Sequence, residues 1–328
     1  MRRVLVTGGA GFLGSHLVDR LVEQGVEVVA IDNLFRGNMA NLATARASSQ
    51  FSFVNGDILD IRALETAVKG CDTIFHLAAI NGTKYFYEIP EQVLRVNITG
   101  TENVLKIAGE KRVQRVLFAS TSEVYGRTTT IPTPENSGAL FIPPHSVRWC
   151  YAISKLVGEH MCLAFTRGTK LGTIILRIFN AYGPRLVSSE YGQVVGRFAK
   201  RLLNGEPPII YGDGQQTRAF TYVSDIIDGI IKAAEREGVT SDVFNLGSRE
   251  EITINKLAET MTQLTGKAPE LKPTYADAIP DEPRRRCPLI EKAKTTFGYE
   301  PKVDLTTGLK KTIDWFRGMV ELPHSKKR

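Results

Sequence analysis

An apolar run, Val4-Leu5-Val6, passes directly into Gly8-Gly9-Ala10-Gly11-Phe12-Leu13-Gly14. The chain then enters residues 15–22, whose apolar side chains fall at helical spacing. A strand, a tight glycine turn and a helix in that order constrain this fold more than any other feature. Gly8, Gly11 and Gly14 keep a G-x-x-G-x-x-G spacing. Without Cβ atoms the backbone turns sharply and can approach a pyrophosphate, which then rests on the helix N-terminus. A second apolar run, 26–31, ends in Asp32, placed to hydrogen-bond the adenosine ribose of a dinucleotide. Its carboxylate repels a 2′-phosphate, so NAD is expected rather than NADP, and Arg36 is the residue that argues the other way.

Further apolar runs at 51–54, 73–77, 116–119 and 173–176 alternate with helical stretches, the long ones at 91–110 and 151–165. That alternation predicts an α/β fold with a doubly wound parallel Rossmann sheet. After Asn180 the punctuation changes, with Pro184, Pro207-Pro208, Gly212 and Gly214 marking loops. The run 243–246 is expected to rejoin the sheet. Residues 305–317 are expected to form a closing amphipathic helix, with the final Ser-Lys-Lys-Arg as a frayed tail. The reading assigns 1–179 with 223–254 to a cofactor-binding domain and 180–222 with 255–328 to a smaller, discontinuous α/β substrate lobe.

A chain of 328 residues, 42% hydrophobic, has enough apolar surface for both. Cys71, Cys150, Cys162 and Cys287 show no C-x-x-C spacing, which predicts a reducing cytoplasm, no disulfide framework and no metal site. The N-terminus enters a strand at once, unlike a signal peptide, and no apolar run approaches the length of a membrane span. The net charge of +7 is spread along the chain, which speaks against nucleic acid as a partner and suits an anionic substrate.

Tyr151 and Lys155 stand in Tyr-Ala-Ile-Ser-Lys, a four-residue step that puts both on one helical face. A phenol beside an ammonium, near a nicotinamide, can take a hydroxyl proton while hydride leaves the same carbon. Lys155 is expected to lower the phenol pKa by favouring phenolate.

With these motifs the chain resembles the extended short-chain dehydrogenase/reductase family over almost its full length. The resemblance also rests on NGDILD with Asp57, on His76-Leu77-Ala78-Ala79, and on VNITGTENVL with Asn97. STSEVYG, RIFNAYGPR and YGDGQQTRAFTYVSD complete it. It implies that Asp57 lies near the adenine and Ala78 and Ala79 along the cofactor, with Phe12, Leu13, Asn33, Ile58 and Asn97 in the same set. Members of this branch rework nucleotide-diphosphate sugars by oxidising C4, often returning the hydride to the same NAD. They pair as homodimers through the two long helices. On the substrate side the resemblance implies Asn180, Arg185, Tyr211, Arg218 and Arg286, together with Thr83, Tyr85 and Ser122; the arginines suit a diphosphate and base.

Thr121 matches the hydroxyl residue that bonds the sugar 4-hydroxyl. Glu123 occupies a position where plain 4-epimerases usually lack a carboxylate, whereas 4,6-dehydratases and UDP-glucuronate decarboxylases carry one. Ser122 stands where many dehydratases have an acidic proton donor. The stretch Asp281–Ile290 resembles that of UDP-glucuronate decarboxylases, with Arg286 on an arginine implicated in catalysis. The 4-epimerase arginine would fall near Ile279 and is missing. Arg148-Trp149 points toward the related UDP-4-amino-arabinose pathway decarboxylases and UDP-apiose/xylose synthase. Cys287, where lysine is usual, and Asn81-Gly82-Thr83-Lys84 depart from the pattern. The expected activity is UDP-glucuronate decarboxylation through a C4 ketone, with 4-epimerase, 4,6-dehydratase and a non-catalytic NAD(H)-binding regulator as the alternatives.

Overall fold

The computed structural model describes residues 1–137, 145–186, 193–266 and 270–321. The strands are β1 (Arg3–Thr7), β2 (Glu27–Asp32), β3 (Phe51–Asn55), β4 (Thr73–His76), β5 (Arg115–Thr121), β6 (Gly172–Ile178) and β7 (Ala181–Tyr182). They continue as β8 (Ile209–Tyr211), β9 (Thr217–Ala219), β10 (Thr221–Tyr222), β11 (Asp242–Leu246), β12 (Glu251–Thr253), β13 (Thr274–Ala276) and β14 (Arg285–Arg286). The α-helices are α1 (Phe12–Glu23), α2 (Ile61–Ala67), α3 (Thr83–Glu88), α4 (Pro90–Glu110) and α5 (Cys150–Gly168). In the second half follow α6 (Val194–Leu203), α7 (Val223–Glu235), α8 (Ile254–Leu264), α9 (Glu291–Phe297) and α10 (Leu305–Glu321).

Seven strands form one sheet in the order β11-β6-β5-β4-β1-β2-β3, and every pairing in it is parallel. Parallel neighbours need crossover helices, and these cover both faces. Alternation along β1 and β2 divides the core: Val4, Val6, Val28 and Ala30 face one cluster, Leu5, Val29 and Ile31 the other. Helices α1 and α7 pack together, as do α2, α4 and α5. The predicted strand 243–246 does rejoin the sheet, beside β6.

The remaining strands form small sheets, β12-β9-β14, β13-β8 and β10-β7, near a group of packed helices α6, α8 and α10. One expected boundary moves. Residues 251–253, read with the large sheet, pair with β9 instead (Ile252 opposite Arg218), because the chain turns away after Leu246. The closing helix runs on to Glu321, and the Ser-Lys-Lys-Arg tail lies outside the described residues. Among the described residues no helix is long and apolar enough to cross a membrane.

A buried polar network ties α5 to the sheet. Glu159 accepts from Arg177 Nε at 2.9 Å and Nη2 at 2.7 Å, and Ser120 donates to the same carboxylate. The guanidinium lies 4.6 Å over the Tyr125 ring, whose hydroxyl donates to Asn245 Oδ1 of β11 at 2.7 Å. Breaking a buried pair from one side strands a charge in low dielectric. Arg177→Met is therefore expected to lower stability by about 3–5 kcal/mol. Pairing it with Glu159→Leu should recover much of the loss; urea unfolding of both variants measures this.

Candidate active site

The carboxyl ends of the central strands open onto a cavity of about 630 Å³ that reaches across to Tyr211 on β8, Arg218 on β9 and Arg286 on β14. At one end is the glycine turn. Gly8 has φ 70°, and a Cβ there would lie 2.8 Å from the Ala78 amide nitrogen; a Cβ on Gly14 would lie 2.0 Å from the Gly8 carbonyl oxygen. Neither position tolerates a side chain. Helix α1 starts at Phe12 with no side chain capping it, so its first-turn amides remain available to a phosphate.

Asp32, at the end of β2, accepts from the amides of Ala10 (3.0 Å) and Leu34 (2.8 Å). Burial raises its carboxyl above the ordinary value, and the two amides oppose that rise. Asn33 donates to Asp57 at 2.7 Å, while Asp57 caps the Leu59 amide at 2.8 Å; Ile58 lines the wall beside them. An uncapped helix start, a turn without Cβ atoms and a ribose-length carboxylate together fit a dinucleotide.

The floor is held by a directed chain of hydrogen bonds. The Ala78 amide donates to Thr7 Oγ1 (3.1 Å), which lies 2.8 Å from His76 Nδ1. His76 Nε2 lies 3.0 Å from Thr101 Oγ1, and that hydroxyl donates to the Asn97 carbonyl at 2.6 Å. Burial, helped by Lys155, brings the imidazole down to about 3, so it stays neutral. Asn97 was expected on the cofactor but does not line the cavity. Its amide group braces both backbone groups of Ile80 and bonds Ser154.

Tyr151 and Lys155 both line the cavity on α5. Tyr151 stacks on Phe86 at 5.2 Å. Burial pushes its phenol up to about 12 and Glu123 adds to that, while Asn81, Thr121 and Arg36 pull it down. Lys155 is not among the main influences on this phenol. Its ammonium lies 4.6 Å over the Phe118 ring and is itself brought down to about 8 by burial. Lys155 thus lines the cavity with its ammonium against the Phe118 ring, and Arg36 is a cation that lowers the phenol.

Glu123 follows β5 in a short turn, where its amide donates to Thr121 Oγ1. Arg148 reaches its carboxylate at 2.9 Å and Arg286 at 3.5 Å. Burial alone would raise this carboxyl, but the two guanidiniums overcome it and hold it at about 2. Arg148 Nε and Arg286 Nη2 are buried without a hydrogen-bond partner among the described residues. Arg148 was read only as part of a family signature; its role as the main partner of Glu123 has no local sequence signal.

Thr83, Ser122, Ala79 and Asn180 line the cavity, as do Tyr211 and Arg218. Arg218 bonds Glu282 at 2.6 Å, and Tyr211 stacks under Arg197 at 4.8 Å, a cation that sequence reading missed. Two expected substrate residues are elsewhere. Arg185, at φ 66°, turns its side chain to Asp19 of α1 (2.7 Å) and leaves the cavity wall. Tyr85 sits behind Arg36, whose guanidinium covers its ring at 5.6 Å.

A sequence profile of the NAD dependent epimerase/dehydratase family matches residues 4–247. The chain belongs to that family. It is 37% identical to UDP-N-acetyl-alpha-D-glucosaminuronate decarboxylase of Bacillus cytotoxicus, over 96% of this chain and 98% of that protein. It is 40% identical to UDP-glucuronic acid decarboxylase 1 of Xenopus tropicalis, over 98% of this chain and 73% of that protein. The structure of UDP-glucuronic acid 4-epimerase from Bacillus cereus, in complex with UDP-glucuronic acid and NAD, superimposes with a TM-score of 0.88. That pair is 31% identical over 97% of this chain and 99% of the other. The extended short-chain dehydrogenase/reductase reading therefore holds, and NAD is the cofactor of this enzyme family.

Arg36 Nη1 is engaged by the carbonyl and side chain of Asn81, while the Asp32 carboxylate stands where it would repel a 2′-phosphate. NAD is expected to bind at least about tenfold more tightly than NADP, a difference of about 1.4 kcal/mol. Calorimetry with both nucleotides measures it, and equal affinities would remove Asp32 from the role.

Proposed function

We propose that this chain is an NAD-dependent decarboxylase of a UDP-linked uronate, of the UDP-glucuronate class, working through a C4 ketone. The observation that carries the reading is one carboxylate, Glu123, held between the buried guanidiniums of Arg148 and Arg286 beside Tyr151. Such a cluster keeps excess positive charge and unused donors, a suitable place for a sugar carboxylate. A neutral hexose would leave the two buried guanidiniums sharing the single negative charge of Glu123, which is costly. The 37–40% identity to two uronate decarboxylases supports the same choice.

In this reading Tyr151 accepts the proton of the 4-hydroxyl, with the Thr121 hydroxyl alongside to orient it. Bound NAD supplies the acceptor for the C4 hydride and a positive ring that favours phenolate. A ketone at C4 lies β to the C6 carboxylate, so the electrons released by departing CO2 delocalise as an enolate. Glu123, ionised at neutral pH, is an orienting and charge-balancing anion rather than a proton donor. Arg286 and Arg148 hold the carboxylate end until CO2 leaves. The dehydratase alternative is disfavoured by Ser122, a poor donor for a departing hydroxyl. The likeness to a UDP-glucuronic acid 4-epimerase favours a second reading, inversion at C4 of the same substrate.

One assay separates the two. Incubated with UDP-glucuronate or its 2-acetamido analogue, the enzyme is expected to release CO2 and form a pentose nucleotide. Tyr151→Phe should lower turnover by about 10²–10⁴ with NAD still bound, and Glu123→Gln should let NADH absorbance rise without matching CO2. Isomerisation without mass change would replace the decarboxylase with the epimerase.

We also propose a homodimer through α4 and α5, which pack side by side. Ile153 on α5 is 40% exposed, as an interface residue in an isolated chain would be. Light scattering at micromolar concentration should give twice the 36.3 kDa chain mass, and a monomer mass would refute it.

A further inference from the structure

Asn81-Gly82-Thr83-Lys84 and Arg36 fit no part of the motif pattern, yet the structure joins them. Arg36 follows β2 and Asn81 follows β4, the two strands that flank β1. Neighbouring strands lie about 4.8 Å apart, so their contact crosses roughly 10 Å, directly over the carboxyl end of β1 and its glycine turn. Arg36 Nη1 donates to both the carbonyl and the side-chain Oδ1 of Asn81. The guanidinium plane is further fixed by the Tyr85 ring at 5.6 Å, which in turn packs on Phe35 at 5.4 Å. Gly82, between Asn81 and Thr83, takes φ 116°, a backbone conformation that favours glycine.

With Nη1 anchored, Nε and Nη2 have no hydrogen-bond partner among the described residues. That edge is the planar fork that pairs with a phosphate. No carboxylate forms an ion pair with Arg36 among the described residues, and burial is the main effect on it. A half-dry cation without a counter-ion is a place for an anion. A dinucleotide that reaches from Asp32 to Tyr151 must pass the uncapped start of α1, beneath this bridge.

We infer that Arg36 is a phosphate clamp on the cofactor, gripping the pyrophosphate from the side opposite the glycine turn while Asn81 and Tyr85 hold the guanidinium in place. It is a cofactor-binding residue, and Asn81 and Tyr85 are the residues that position it. It depends on the family's NAD and not on the sugar chemistry, so failure of the CO2 assay would leave it standing.

The test is binding, not turnover. Wild type, Arg36→Met and Arg36→Lys are titrated with NAD, ADP-ribose and AMP. A charge-assisted fork to phosphate corresponds to about 10- to 100-fold in affinity. Arg36→Met is expected to lose that factor for NAD and ADP-ribose, which carry the pyrophosphate, and less than about threefold for AMP, which does not. Arg36→Lys should restore only part of it, since an ammonium lacks the fork. NAD affinity of Arg36→Met within about threefold of wild type would overturn the clamp. So would an AMP loss equal to the NAD loss, because Arg36 would then only support the loop beside Asp32.

Discussion

The approach of Gly14 to the Gly8 carbonyl sets the geometry of everything at the carboxyl edge of the sheet. With 2.0 Å between that oxygen and where a Cβ would stand, only glycine lets α1 begin so close to the end of β1. The early start of α1 leaves its first-turn amides facing the cavity. It also lets Ala10 reach Asp32 and Asn41, so the second strand and the following loop are fixed by the same turn. The cofactor half of the site is thus a backbone construction, with side chains added at its margins.

The substrate end is organised by charge. Two networks lie near α5 and have opposite character. Glu159 with Arg177 is a closed pair, satisfied by Ser120 and backed by Tyr125, and it fastens the helix that carries Tyr151 and Lys155. Glu123 with Arg148 and Arg286 is open, with more cation than anion and donors to spare. Stability is vested in the closed network and ligand recognition in the open one. The segment that contributes Arg286 pairs with β9, so Arg218 and Arg286 share one small sheet although they are distant in sequence.

The strands and long helices of the first half were legible because parallel strands buried on both faces read as continuous apolar runs, and long helices repeat their apolar stripe over many turns. The short strands β8, β9, β13 and β14 were not, since two or three residues carry no period. The glycine turn, Asp32, Tyr151 and Glu123 announced themselves through local motifs. Arg148 as partner of Glu123, Arg197 over Tyr211 and the joining of Arg36 to Asn81 did not, because each contact depends on the crossover order of the sheet. Arg185 was misplaced for a related reason: a left-handed backbone residue redirects a side chain that motif spacing alone would send into the cavity. Lys155 shares a helical face with Tyr151, yet the depth of α5 against Phe118 decided its neighbours.

The position of β11 also bears on how the chain is made. Strand β6 is buried along nearly its whole length, and its outer edge is covered by β11, a segment that follows the small sheets in sequence. As the polypeptide emerges from a ribosome, β6 therefore waits as an apolar, unpaired edge until Leu246 has been synthesised. Nascent chains that stall before that point carry a ready template for intermolecular strand addition.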